Sequence, residues 1–303
     1  MRLAVVNFHF ERPEITKFSL ENNLKYWSKY SKNIDYYCIF VNGKTKKFPQ
    51  ENNFIVKKEI LKIIKDYKNV KFIEINNKLI TEDTCFSSFK EIVINNNYDG
   101  CFVIEDDIII SSSYFDFGIN SIEKILSTDN NFYSLSLYGS TDDILNIGII
   151  KKSHSYTPWG IFISKVGIIH TAEYMKKLIN FKTELKLSNN NEDLSFLSEK
   201  FFISLGISRK PGVSTLGILG GDGLSSHVAN HYNLNMYESL YSRAFNIGIL
   251  GEHNPETIDN YKIYLNKINK SANNNGINID IHHKKIILNQ ESITKDRVII
   301  YND

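Results

Sequence analysis

Short apolar runs alternate with longer mixed-face segments through the first hundred residues of this chain. Residues 3–8 are short and almost wholly apolar, as a strand covered on both faces would be. Over 13–30 the apolar residues Ile15, Phe18, Leu20, Leu24 and Trp27 recur at near-helical spacing. The pattern then repeats: strand at 35–41, helix at 55–67 with lysines on its outer face, strand at 70–75, helix at 84–95, strand at 101–104. Strands separated by helical crossovers predict an α/β fold, a central mostly parallel mixed sheet flanked by helices.

The second half is less regular. Strands are expected at 132–138 and 159–164 and a helix at 165–179. Asn254-Pro255 has the form of a helix cap and first turn, predicting a helix to about residue 270. Asn273-Asn274-Asn275-Gly276 would break it, and the tail after Ile277 alternates like an edge strand or hairpin. Residues 1–251 are expected to form one domain and 252–303 a C-terminal extension.

In parallel sheets ligands bind beyond the carboxyl ends of the strands. Three predicted strands end in polar residues there: Asn7-Phe8-His9, Asn42-Gly43 and Glu105-Asp106-Asp107. Carboxylates crowded together raise one another's pKa, and a divalent cation removes the conflict. Oxygen ligands suit Mg²⁺ or Mn²⁺, which share phosphate oxygens with a substrate. Such a cation neutralises a diphosphate leaving group without proton transfer. A solvated surface loop is the plainer reading of the same three acids.

Composition narrows the classes. The 303 residues are 42% hydrophobic and 23% charged, in the globular range, and a net charge of +2 does not mark a nucleic-acid binder. Three cysteines without CxxC spacing argue against a disulfide framework or zinc site; Cys38 and Cys101 read as buried thiols of a reducing compartment. With no signal-peptide pattern and no apolar run near the ~20 residues of a membrane span, a cytoplasmic protein is expected, peripheral membrane contact being left open.

The motifs, taken in order, resemble GT-A glycosyltransferases, bacterial nucleotide-diphospho-sugar transferases and the N-acetylglucosaminyltransferase I type with its EDD motif. The carriers are Asn7-Phe8-His9-Phe10-Glu11-Arg12-Pro13, Phe40-Val41-Asn42-Gly43-Lys44, and Tyr98 through Ile108 with Tyr114-Phe115-Asp116-Phe117. They continue with Thr157-Pro158-Trp159-Gly160-Ile161-Phe162 and with Pro211 through His227. The resemblance covers roughly residues 1–230 and implies a GT-A-like Rossmann-type sandwich. It implies metal-dependent transfer of a sugar from a nucleotide-diphosphate sugar, most often a UDP-sugar, to a glycan or other acceptor, with inversion.

By the same resemblance Asp107 is the metal ligand, Asp106 contacts the ribose or helps hold the metal, and Glu105 contacts the nucleotide. Phe8 and Arg12 border the nucleotide, and Asn42 stands where relatives carry an Asp. Trp159 and Gly160 belong to the acceptor-side segment, Trp159 either stacking on a sugar or filling core. His227 is a second metal ligand or phosphate contact, or a loop histidine without a role. Asp193, with Glu192 as second candidate, would be the base that takes the acceptor proton. The same two acids also fit the first turn of a helix capped by Asn191. Two other classes stay open: an inactive nucleotide- or carbohydrate-binding protein on this fold, and a nucleotidyltransferase, against which the first strand's end lacks a glycine-rich phosphate loop.

Overall fold

The computed structural model describes residues 1–43, 50–76, 82–141, 143–154, 156–184, 221–248, 250–251, 254–255, 277–278 and 285–301. Its first half follows the predicted alternation: β1 (Leu3–His9), α1 (Pro13–Trp27), β2 (Ile34–Asn42), α2 (Gln50–Ile64), β3 (Val70–Asn76), α3 (Glu82–Asn95) and β4 (Gly100–Ile104). There follow β5 (Ile108–Ile110), α4 (Tyr114–Leu126), β6 (Phe132–Ser136), β7 (Ile149–Ser153), β8 (Ile161–Ser164), α5 (Lys165–Glu184), α6 (Gly221–His231), β9 (Asn235–Ser239) and β10 (Ala244–Asn246). The remaining strands are short: β11 (Leu250–Gly251), β12 (Asn254–Pro255), β13 (Ile277–Asn278), β14 (Lys285–Ile286) and β15 (Ile299–Tyr301).

The main sheet has nine strands in the order β15-β7-β9-β6-β8-β4-β1-β2-β3. β1 pairs in parallel with both β2 and β4, and β8 is antiparallel to both β4 and β6. Following the pairings across, six strands share one direction and β8, β7 and β15 oppose it. The protein is therefore α/β, with a mostly parallel mixed sheet flanked by helices.

Both faces of the central strands are covered, which is why they lack a polar alternation. Leu3 and Val5 of β1 and Phe102 and Ile104 of β4 pack with Leu20, Leu24 and Trp27 of α1 and Tyr114 and Phe115 of α4. The intervening Ala4, Val6, Cys101 and Val103 face Phe89 of α3, Ile168 of α5 and Val228 of α6. Cys38 and Cys101 are buried free thiols, and burial pushes both well above the ordinary cysteine range.

The tail departs from expectation in one place. Asn254–Pro255 does not open a helix; it pairs antiparallel with Leu250–Gly251. Proline fits either place, since neither the first turn of a helix nor a strand edge asks for its missing N–H. Residues 256–276, where the rest of that helix to about residue 270 and the break after it were expected, lie outside the described residues. The alternation after Ile277 does correspond to strands: β13 pairs with β14, and β15 adds to the edge of the main sheet beside β7. Ile293 and Val298 are buried in the core, and Asn120 donates to the Ile293 carbonyl at 2.6 Å.

An arginine-locked acidic pair at the carboxyl edge of the sheet

The chain leaves β1 towards β2 on one side and returns two crossovers later to place β4 on the other. The crevice between the carboxyl ends of β1 and β4 is thus a topological switch point, the place where α/β sheets bind ligands. Each strand delivers charged residues there. The link from β1 to α1 carries Arg12, directly before Pro13 at the first helical position. The link from β4 to β5 carries Glu105, Asp106 and Asp107.

Arg12 grips both aspartates. Its Nε donates to Asp106 Oδ2 at 3.1 Å, its Nη2 donates to Asp106 Oδ1, and its Nη1 donates to Asp107 Oδ2 at 3.0 Å. The two bonds to Asp106 use the planar fork that lysine could not offer. Burial opposes the charge on Arg12, but Asp106 and Asp107 outweigh it and hold the guanidinium pKa well above its ordinary value. For Asp107 the balance tips the other way. Burial raises its pKa, Arg12 pulls it down, Asp106 pushes it up, and the result lies above the ordinary value.

Two strands fix the acid loop from behind. β5 pairs antiparallel with β10, setting Ile108 opposite Asn246. The chain beyond β10 then folds over the acids: the Ile247 amide donates to the Asp107 carbonyl at 2.8 Å, and a Cβ on Gly248 would meet Asp107 Oδ2 at 2.1 Å. On the other side Asn23 of α1 donates to the Ile108 carbonyl at 2.9 Å and accepts from the Ile110 amide at 3.1 Å, while Asn22 donates to the Ile110 carbonyl at 2.9 Å. These side chains satisfy the edge of a three-residue strand that, among the described residues, has no strand neighbour there.

The remaining predicted residues are placed as follows. Gly160 has φ +65, and a Cβ on it would meet the Ala244 Cβ at 2.3 Å and Ile108 Cγ2 at 3.5 Å, so it is packed against the β5–β10 ladder. Trp159 is half-buried with its ring edge-on to Tyr138 at 4.8 Å. Phe8 is buried, its ring edge-on to Phe89 at 5.1 Å. Asn42, at the exposed end of β2, donates to Glu74 at 3.2 Å and to Asn76 at 2.9 Å. Glu105 is half-buried, and its carbonyl accepts from the Ile108 amide at 3.1 Å.

His227 is not in a loop. It is buried within α6, beside Leu224 and Val228, which pack under the sheet. Among the described residues no three of His, Cys, Asp and Glu are gathered as a metal cluster. Glu192 and Asp193 lie outside the described residues.

Sequence reasoning placed Asn7 and His9 at a polar strand end of this edge but gave neither a role, and it did not single out Asn23. His9, at the end of β1, is buried; desolvation lowers its pKa to about 3, and neither ring nitrogen has a hydrogen-bond partner among the described residues. Asn7 donates to the Ile104 carbonyl at 3.0 Å and accepts from the Tyr36 hydroxyl at 2.6 Å, bolting β1 to β4 and β2. A polar residue inside an apolar strand or helix stripe, as at Asn7 and Asn23, was the available signal.

The arrangement has a chemical consequence. One guanidinium serves both carboxylates, and Asp107 Oδ1 is buried without a hydrogen-bond partner among the described residues. An uncompensated buried oxygen is costly. A hard cation meeting that oxygen, with water and phosphate completing its shell, fits this donor set.

No family profile matches the chain, and no curated protein does. Among solved structures it is similar to a protein from STIV, at 8% identity and a TM-score of 0.37, covering 97% of each chain. It is similar to a cytidylyltransferase from Leptospira borgpetersenii serovar Hardjo-bovis, at 12% identity and a TM-score of 0.37, covering 93% of this chain and 100% of that one. It is also similar to a glycosyltransferase involved in glycosylation of the major capsid of PBCV-1, at 13% identity and a TM-score of 0.31, covering 70% and 79%.

Proposed function

We propose that this protein is a metal-dependent glycosyltransferase that moves a sugar from a nucleotide-diphosphate sugar, UDP first among the nucleotides, to a glycan acceptor. One observation carries the reading. At the switch point of the sheet, a buried acidic pair keeps an oxygen on Asp107 that has no partner among the described residues, despite its bond to Arg12.

Asp107 is the residue to hold Mn²⁺ or Mg²⁺, and the bound cation would neutralise the diphosphate leaving group. Arg12 keeps both acids oriented beside the nucleotide. Gly248 leaves Asp107 the space that any side chain would take. Asp193, or Glu192, takes the proton from the attacking acceptor hydroxyl in an inverting transfer. This reading assigns no role to His227, which lies in helix α6 beside Leu224 and Val228.

Thermal-shift titration with UDP, GDP and CMP, each with and without Mn²⁺, tests the donor site. A ligand that binds only the native state raises the melting temperature by mass action. Stabilisation by one nucleotide, dependent on metal and lost in Asp107→Asn, is the expected result. No stabilisation under any condition overturns the reading. Metal-dependent binding without transfer or donor hydrolysis would instead make the chain a binding protein.

A further inference from the structure

The helix α2 has one face in the core and another that is unusual for a solvated surface. Val56 and Ile60 are buried, whereas Phe54 is 70% exposed, Ile55 43% and Leu61 42%. Lys58 and Lys62, and Lys65 in the turn that follows, are exposed on the same side, with Glu51 the exposed acid of the helix and Asp66 exposed beside Lys65. At 100° per residue, Phe54, Lys58, Leu61, Lys62 and Lys65 fall within about a third of a turn, so cations and large apolar side chains share one surface. The neighbouring α1 adds no net charge there, Glu14 and Glu21 balancing Lys17 and Lys25.

That face is tied to the edge of the sheet carrying the acids. Asn53 in the first turn of α2 donates to the Phe10 carbonyl at 2.7 Å, just past β1, and to the Val41 carbonyl at 3.0 Å, near the end of β2. Phe54 and Ile55 therefore stand at the carboxyl rim. A second apolar tip rises from the same rim. β6 runs parallel to β1, and the turn that follows it exposes Ile144 by 66% and Leu145 by 83%.

We infer that the outer face of α2, with the Ile144-Leu145 tip, docks the protein on an anionic lipid surface. Lysines interleaved with Phe and Leu match what such a surface offers: negative headgroups for the cations, and an acyl boundary for the apolar side chains. A soluble acidic protein would use the lysines but leave Phe54 and Leu145 without a place. Docking along α2 would bring its Phe54 end close to the membrane, and with it the rim that carries Arg12, Asp106 and Asp107, where a lipid-linked acceptor could meet it. That last consequence rests on the transferase reading; the docking itself does not.

Flotation of the full chain with vesicles tests it. Binding is expected to equimolar phosphatidylcholine and phosphatidylglycerol, not to phosphatidylcholine alone, and to be reversed by salt. Phe54→Ser with Leu61→Ser should abolish it, and Lys58→Ser with Lys62→Ser should weaken it about tenfold or more. Both variants alter exposed positions, so melting temperature and the nucleotide response should match wild type. No flotation, or equal flotation of the variants, overturns the proposal. So does a concentration-dependent dimer that Phe54→Ser dissolves, which would assign the face to a second copy of the chain. The assay contains no sugar donor, so it can fail while nucleotide binding succeeds, and the reverse.

Discussion

Arg12 Nη1 lies 3.0 Å from Asp107 Oδ2, so the residue preceding the first helix is bonded to the acid that closes the fourth strand's loop. The same guanidinium holds Asp106 with two further bonds. The crowding of acids that a sequence reader assigns to a metal is thus half relieved by the chain itself. A cation is left with the other half: an oxygen on Asp107 that has no partner among the described residues.

Removing the arginine should expose this division. Arg12→Ala leaves two buried carboxylates without their partner and is expected to destabilise the ligand-free protein by about 3–5 kcal/mol. Mn²⁺ should restore more stability to this variant than to wild type. Urea denaturation with and without metal measures both, and an Arg12→Ala protein as stable as wild type would contradict the ion-pair geometry.

Asp107 should leave a signature in the pH dependence of stability. Its folded pKa is raised, by burial foremost, so the native state retains a proton that the unfolded chain releases. Stability therefore falls as pH rises from the ordinary aspartate range through the raised folded value, and below that range the effect is absent. Asp107→Asn should remove this slope and leave the ligand-free protein at least as stable at neutral pH. It should also lose the metal-dependent nucleotide response. A melting-temperature profile of both proteins across the acid range tests the sign.

The two glycines at the site should fail differently. Gly160→Ala places a side chain at φ +65 and against Ala244, at an expected cost of about 2–4 kcal/mol. Gly248→Ala drives a methyl group into Asp107, so its main effect should fall on metal-dependent nucleotide affinity. Unfolding curves and nucleotide titrations on the pair separate the outcomes.

Gln290 links the tail to the far end of the β5–β10 ladder. Its Oε1 accepts from the Ser111 and Ser113 hydroxyls at 2.7 Å each, and its Nε2 donates to the Ser242 carbonyl at 2.9 Å. It thereby joins the ends of β5 and β10 that lie away from Asp107. Gln290→Leu should cost about 1–3 kcal/mol for each group left unsatisfied. Donor affinity should fall with it, if the ladder sets the position of Asp107. Calorimetry of the variant reports both quantities.

The proposed base separates binding from chemistry. Asp193→Asn should lower kcat by about 10²–10⁴ with nucleotide binding unchanged, and Glu192→Gln should do much less. The reverse ranking would move the role to Glu192.

The alternation of apolar strands and amphipathic helices determined the first half of this fold. Both periodicities are local, and burial on two faces writes itself into runs such as Leu3–His9 and Gly100–Ile104. The acids at 105–107 were legible for the same reason, standing where a buried strand must end. Tertiary structure alone decided who meets them. Arg12 reaches Asp106 across 94 positions, and Gly248 and Ile247 reach Asp107 from still farther, because β1, β4 and the β5–β10 ladder converge on one edge. Asn254–Pro255 shows the opposite limit: its local chemistry suits a helix start and a strand edge alike, and pairing with Leu250–Gly251 chose between them. His227 is a third case: it reads as a ligand or as a loop histidine alike, yet packing of Leu224 and Val228 under the sheet holds its segment in a helix. Sequence specifies what a segment can be; long-range contact selects among those states, since burial is a property of pairs of segments and not of either alone.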